Sequence, residues 1–338
     1  MKTILITGAT SGIGKETAKA LAKQGHFVII HGRNKEKIQT VLNEIKSETG
    51  NNNFDFLISD LLLLSDVKRM ADEFKQKYNK LDVLINNAGA IFNKKREITA
   101  EGLEKTMTLN IFAPALLSHL LLEVLAQSSS ARIINVSSLA HKAPYKPDLS
   151  DIQLEKRYSY MKAYSHSKLY LIWLTQRMAH ELFEKGFERI TANSLEPGVA
   201  ASAFGKNNDK GILTNLAFKI FLRRPFFSSC KHGAKTSVCL ATSQDVENLT
   251  GKFFNHKAKM VQPCTKHYSP ENEKIIWDYC MQIIEPYLSN QKMDSNQRNI
   301  ENPTGTGEVN PVLRALHAEE VVTAMELTPM AFDIKKYY

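Results

Sequence analysis

The segment Tyr164-Ser165-His166-Ser167-Lys168 holds the residue pair with the clearest chemical capability in the chain. Residues four apart share one face of a helix, so a phenol and an ammonium group can converge there. A tyrosine of ordinary pKa, about 10, is a poor acid or base near neutrality. A cation beside it favours the phenolate and brings it into range for general acid–base work. A hydroxyl to hold the reacting oxygen is offered by Ser138, at the end of the run Arg132–Ser138, with Ser137 as the alternative if the register slips by one. Asn110 stands in the long apolar stretch 100–127, where a buried amide needs a partner or caps a backbone kink. His141 and His166 lie near these residues, but a lone histidine is more often structural, and neither is assigned a catalytic role. A YxxxK pair also recurs by chance, so its meaning depends on its surroundings.

Those surroundings begin with Thr7-Gly8-Ala9-Thr10-Ser11-Gly12-Ile13-Gly14, which joins a strand-like run to a helical one. Glycines there permit a tight turn and a close backbone approach, and free N–H groups at the helix start attract a pyrophosphate. Gly8, Thr10, Ser11, Gly12, Ile13 and Gly14 are therefore candidate dinucleotide-binding residues. Arg33, in Gly32-Arg33-Asn34, follows the second strand 19 residues after Gly14. An acid in that place bonds the ribose 2′-hydroxyl of NAD, whereas a basic residue receives the 2′-phosphate of NADP. Arg33, with Asn34 beside it, points to NADP(H). Asp60 and Leu61, ending the third strand, are expected to hydrogen-bond and pack on an adenine edge. Asn86-Asn87-Ala88-Gly89 ends the fourth, with amides that stabilise a turn and a glycine for close approach, which adds Asn87, Ala88 and Gly89. An oxidised nicotinamide ring would join Lys168 in favouring the Tyr164 phenolate.

Positioning these groups requires a particular alternation of elements. Strands are expected at Thr3–Thr7, Phe27–His31, Phe54–Ile58, Val83–Asn86, Arg132–Ser137 and Ile190–Leu195, and helices near 13–24, 34–49, 65–78, 100–127 and 158–185. The strands are rich in Val, Ile and Leu without alternation, as when both faces of a parallel sheet are covered. Strand–helix alternation of this kind implies a doubly wound α/β fold, Rossmann-type, with ligands at the carboxyl ends of the strands. Every motif above falls at such an end or on the helix that follows. Residues 1–289 read as one domain. Residues 290–311, rich in Asn, Gln, Gly and Pro, read as a flexible linker, and 312–338 as a C-terminal tail with one further helix.

Bulk properties narrow the class. With 43% hydrophobic and 23% charged residues among 338, the chain has the composition of a globular protein with a sizeable core. Its net charge is +9, and the stretch 205–235 alone holds seven Lys or Arg against Asp209. So local an excess suits a phosphate-bearing ligand or an anionic surface better than a nucleic-acid track, and no nucleic-acid-binding signature accompanies it. The four cysteines form neither CxxC nor any zinc-ligand spacing, so no metal site and no disulfide framework are expected. No apolar run approaches the roughly 20 residues of a membrane span. The chain is expected to be soluble and cytoplasmic.

Taken together, these residues resemble the short-chain dehydrogenase/reductase family, over roughly residues 1 to 289. The resemblance rests on the order and spacing of TGxxxGxG, NNAG, an Asn, a Ser and YxxxK. It implies a seven-stranded parallel sheet and a catalytic tetrad of Asn110, Ser138, Tyr164 and Lys168. In that reading Tyr164 is the acid/base and Ser138 positions the substrate oxygen. Lys168 binds the nicotinamide ribose and lowers the tyrosine pKa, and Asn110 anchors a water in a proton relay. Pro197-Gly198-Val199-Ala200-Ala201-Ser202 matches the family's PGxxxT with Ser for Thr, which makes Pro197, Gly198, Val199 and Ser202 cofactor ligands. Asn135 to His141, Gly233-Ala234-Lys235-Thr236-Ser237 and Gly251-Lys252-Phe253-Phe254 are similar to the retinol-dehydrogenase-like branch. The branch implies an apolar alcohol interconverted with its aldehyde or ketone.

Two further expectations concern surfaces. Residues 212–227 are amphipathic and basic, follow the sixth strand, and are expected to lid an apolar pocket and rest on anionic lipid. Helices 100–127 and 158–185 are expected to form a two-fold homodimer contact. The rival functions are a catalytically silent NADP-binding regulator and a scaffold acting through its tail.

Overall fold

The computed structural model describes residues 1–198 and 229–288; Val199, Ser202, the segment 212–227 and the tail 290–338 lie outside the described residues. Seven strands, β1 (Thr3–Ile6), β2 (Phe27–Gly32), β3 (Phe54–Ile58), β4 (Val83–Asn86), β5 (Ala131–Val136), β6 (Ile190–Leu195) and β7 (Phe253–Phe254), form one sheet in the order β3-β2-β1-β4-β5-β6-β7. Every pairing is parallel. The doubly wound architecture expected from the alternation of elements is the architecture observed.

Successive side chains of a strand point to opposite faces, and here both faces are core. Ile4 and Ile6 pack with Val28, Ile30, Val83 and Ile85 beneath α1 (Gly12–Lys23) and α2 (Lys35–Thr49). Leu5, Ile29 and Leu84 pack on the other side with Phe74 of α3 (Leu64–Lys77). With both faces apolar, hydrophobic pattern alone specifies register weakly. Polar pairs tie the strands instead. Asn86 Nδ2 donates to Asn135 Oδ1 at 2.8 Å across paired positions of β4 and β5, and Asn135 Nδ2 donates to Thr175 Oγ1 at 2.9 Å. Asp82, before β4, accepts from the backbone N–H of Thr3 at 2.8 Å.

Four of the five expected helices stand within two residues of their predicted bounds. The stretch 100–127 does not form one helix. It divides into α4 (Lys105–Met107), a π-helical turn (Thr108–Phe112), α5 (Ala113–Leu120) and α6 (Leu122–Leu125). Pro114 has no N–H to return to the carbonyl of Asn110, so the regular i→i−4 ladder cannot run through this point, and a wider turn takes up the difference. The consequence is local: Asn110 sits in that turn, fully buried.

α7 (Tyr160–Glu184) packs across β5 and β6. Among the described residues, two helices that periodicity did not indicate follow: α8 (Cys230–Thr242), against α1, and α9 (Pro270–Leu288). α9 lies on α5 and α7 and buries Ile276, Trp277, Cys280, Ile283 and Ile284 there. α9 thereby covers part of the apolar surface of α5 and α7, the helices expected to meet a second subunit. Among the described residues no helix is long and apolar enough to cross a membrane.

Candidate active site

Strand order reverses at β1, which has β2 on one side and β4 on the other. The crevice outside that switch point is where open parallel sheets bind ligands. Gly8 (φ +65°) and Gly12 (φ +59°) occupy the left-handed region, which glycine enters without steric cost. A Cβ on Gly14 would overlap Asn87 Nδ2 and stand 2.6 Å from the Gly8 carbonyl oxygen, so only glycine lets α1 begin beneath the turn. Ser11 stands at the N-cap of α1 with no side-chain cap bond, and the first turn holds no acid. The amide end of that helix is thereby left for an anionic ligand. Thr10 lies over Gly32, where a Cβ would come within 2.5 Å of its methyl, and Ile13 reaches across to Gly233 of α8.

The Asn87–Gly89 turn is bonded to this loop. Asn87 Nδ2 donates to the carbonyls of Thr7 and Gly8 at 2.9 and 3.3 Å, and the backbone N–H groups of Asn87 and Ala88 both donate to Thr7 Oγ1 at 3.0 Å. Thr7 was not singled out by the sequence reasoning, although its hydroxyl is the first polar side chain of the motif. Asn86, by contrast, faces the sheet interior and bonds Ser118 and Asn135. At the end of β2, Arg33 is largely exposed and its Nη1 is 4.0 Å from Asp60 Oδ1. Asn34 caps α2 by accepting from the Lys37 N–H at 2.7 Å. Asp60 Oδ1 accepts from the Leu62 N–H at 3.1 Å, and Leu61 is buried in the core with little side chain left for a ligand.

Ser138, Tyr164, Lys168 and Asn110 converge. Tyr164 is 7% exposed and hydrogen-bonds Ser138. Ser137 donates to the Lys168 carbonyl at 2.7 Å, so its hydroxyl is engaged with the backbone, whereas Ser138 is the one beside Tyr164. Lys168 Nζ donates to the Val136 carbonyl at 2.9 Å and lies 5.9 Å from the centre of the Tyr164 ring. Asn110 exchanges two 3.1 Å bonds with the backbone of Ala90 and donates to Ser167 Oγ at 2.9 Å; that hydroxyl donates to the Tyr164 carbonyl at 2.7 Å. The π-helical turn thus ties the loop after β4 to the helix that carries Tyr164. Ser167 and Ala90 are further residues that the sequence reasoning missed.

The electrostatics differ from a simple lysine-lowers-tyrosine picture. Burial pushes the Tyr164 phenol up to about 12, with the Ser138 hydrogen bond working the other way. Burial pushes the Lys168 ammonium down to about 7. In the protein alone, desolvation dominates both groups, and a cationic ring beside the phenol would act in the direction that lowers it. A Cβ on Gly89 would stand 3.0 Å from Lys168 Nζ and 3.1 Å from Asn110 Oδ1, so this glycine keeps the space over both groups open. His141 and His166 are both buried, one at 5.0 Å from the Phe253 ring centre and the other at 5.8 Å from that of Tyr170.

The loop after β6 closes the same side. Gly198 adopts φ +75° and its N–H donates to Glu196 Oε2 at 2.7 Å, while Glu196 Oε1 accepts from the His256 backbone at 3.0 Å. Pro197 meets the start of α8, its carbonyl 3.3 Å from where a Cβ of Gly233 would lie.

The short chain dehydrogenase family model matches residues 2–212. The chain belongs to that family. It is 37% identical over 259 residues to "Retinol dehydrogenase 12" of Mus musculus, a match covering 77% of this chain and 79% of that one. It is 34% identical over 277 residues to "Polyprenol dehydrogenase" of Homo sapiens, covering 81% and 82%. These similarities place it in the retinol-dehydrogenase-like branch of oxidoreductases acting on CH–OH groups. Among solved structures, an uncharacterized protein of Mycobacterium Paratuberculosis superposes with a TM-score of 0.64 at 26% identity, over 84% of this chain and 94% of that one. A short chain dehydrogenase of Escherichia coli CFT073 complexed with NADPH gives 0.59 at 25% identity, over 76% and 96%.

Proposed function

We propose that this dehydrogenase is NADP(H)-dependent and interconverts an apolar alcohol with its aldehyde or ketone at Tyr164. The single observation that carries the reading is the buried Tyr164–Ser138 hydrogen bond with Lys168 one helical turn away, under the opening kept by Gly89. The cradle fits a dinucleotide. The uncapped start of α1 suits a pyrophosphate, and a Cβ at Gly14 or Gly89 would fill space the ligand needs. Arg33 would take the 2′-phosphate, with Asn34 holding α2 in place beside it. That NADPH is named with a related solved structure supports the same choice, and the names of the retinol and polyprenol dehydrogenases support an apolar substrate.

When bound, the nicotinamide supplies or takes up the hydride. The chain's own residues do the rest. In reduction the Tyr164 hydroxyl gives its proton to the substrate oxygen, and in oxidation the phenolate removes it. Ser138 donates a second hydrogen bond to that oxygen and sets its distance from the phenol. Lys168 holds the ribose hydroxyls, and its charge, restored in a polar contact, favours the phenolate. Asn110 holds Ala90 and, through Ser167, Tyr164 itself in register. Residues 1–289 form the catalytic domain in this reading.

Replacing Tyr164 with Phe is expected to lower turnover of a panel of apolar aldehydes and alcohols by roughly 10²–10⁴-fold while NADPH fluorescence titration is unchanged. Turnover that survives would remove Tyr164 from the chemistry. In the same assay Arg33→Ala is expected to weaken NADPH and leave NADH untouched. Equal effects on both would refute the 2′-phosphate role.

A further inference from the structure

His31, the penultimate residue of β2, is 2% exposed and touches three strand ends at once. Its Nδ1 accepts from the Gly8 N–H at 3.1 Å, and its backbone carbonyl accepts from the Ala9 N–H at 3.0 Å. An imidazole nitrogen that accepts from a backbone amide carries no proton, so the proton sits on Nε2. Nε2 then donates toward the Ser59 carbonyl at 3.0 Å, with Ser59 Oγ also at 3.0 Å. Burial holds the ring neutral, with its pKa lowered to about 4, so this tautomer persists across the ordinary pH range.

The two captured amides are consecutive and belong to the glycine loop. Gly8 at φ +65° could turn its N–H several ways, since glycine has little intrinsic preference. Occupying the Gly8 and Ala9 amides from the side of β2 leaves the following amides, from Thr10 into α1, to meet an anion. The link to Ser59 extends the same side chain to the end of β3, next to Asp60, while Arg33 follows two residues after His31. One imidazole therefore joins the pyrophosphate side of the cradle to its adenosine side.

We infer that His31 is a positioning residue for the dinucleotide: its unprotonated Nδ1 sets the conformation of the glycine loop and thereby cofactor affinity, without touching the reacting atoms. This rests on the reading of the crevice as a dinucleotide site. It predicts a split between binding and chemistry that a residue needed only for stability would not produce.

The test is NADPH fluorescence titration, with kcat at saturating NADPH and amide hydrogen exchange of residues 7–10, on the full chain and three variants. His31→Leu removes both bonds. His31→Gln places a donor near Ser59 but no acceptor at the Nδ1 position, and His31→Asn restores an acceptor there. The Leu and Gln variants are expected to raise the NADPH Kd roughly tenfold to a hundredfold, as for one buried amide left unpaired. They should speed exchange at Gly8 and leave kcat unchanged. The Asn variant is expected within about threefold of wild type. Wild-type affinity in the Gln variant, or equal losses in Asn and Gln that follow thermal stability, would overturn the inference; the Asn and Gln pair suffices if the Leu variant does not fold. A wild-type chain that binds neither NADPH nor NADH would instead overturn the dinucleotide reading, and His31's role with it.

Discussion

At the scale of single residues, burial drives Tyr164 and Lys168 toward their neutral forms from opposite directions. Lys168 titrates at about 7 in the folded protein against 10.5 for an ordinary lysine. The unfolded chain therefore holds an extra proton between those values, and stability rises with pH through that window. At about 1.4 kcal/mol per unit, the charged lysine costs on the order of a few kcal/mol below pH 7, which its bond to Val136 offsets in part. Lys168→Met is expected to gain stability relative to wild type at pH 6, with the advantage shrinking from pH 7 to 10. Urea unfolding across that range tests this, and a difference that does not vary with pH would show that Lys168 keeps its ordinary affinity. Tyr164, raised to about 12, opposes further gain above pH 10, where the unfolded tyrosine ionises first. The pair Tyr164 and Lys168 was legible in the chain because spacing by four is a statement about one helix. Thr7, Ser167 and His31 were not, because each works through a backbone group that only the assembled sheet brings near.

At the scale of elements, the glycine loop shows which of its residues are there for space. Gly14→Ala would set a methyl against Asn87 and the Gly8 carbonyl, breaking the seam between the loop and the turn after β4. It is expected to weaken NADPH binding by more than about tenfold, the equivalent of one lost buried hydrogen bond. Gly25→Ala is the control: at φ +79° with nothing within 4 Å, it costs about 1 kcal/mol of strain and leaves binding intact. Equal binding in the two variants would count against the seam. Helix bounds were legible where an apolar stripe runs unbroken, as in α7. The stretch 100–127 is equally apolar, yet Pro114 and the tertiary bonds of Asn110 override its propensity. A two-residue strand such as β7 carries too little pattern to be read, and α9 gives no sign in sequence of which surface it covers.

At the scale of the molecule, that surface bears on assembly. α5 and α7 present an apolar face that would suit a two-fold contact, and α9 fills it from within the chain. Trp277, 7% exposed, lies with its ring 5.7 Å from that of His119 on α5. While α9 is seated, pairing through this face would require it to leave, exposing the apolar side chains it buries, each worth about 1.5–3 kcal/mol. The expected mass by light scattering at micromolar concentration is that of one chain, 38.1 kDa. Trp277→Ala removes the largest side chain of the seal and is expected to cost about 3–5 kcal/mol. Because that is a sizeable part of a typical domain's 5–15 kcal/mol, α9 should loosen before the sheet does, and the uncovered face should self-associate as concentration rises. A wild-type mass of two chains, or a Trp277→Ala protein that stays monomeric with unchanged stability, would mean that α9 does not guard this face. Cofactor binding separates the two parts of the effect: the glycine loop opens α1, which packs on α2 and α8, so the variant should bind NADPH as wild type does even while it associates.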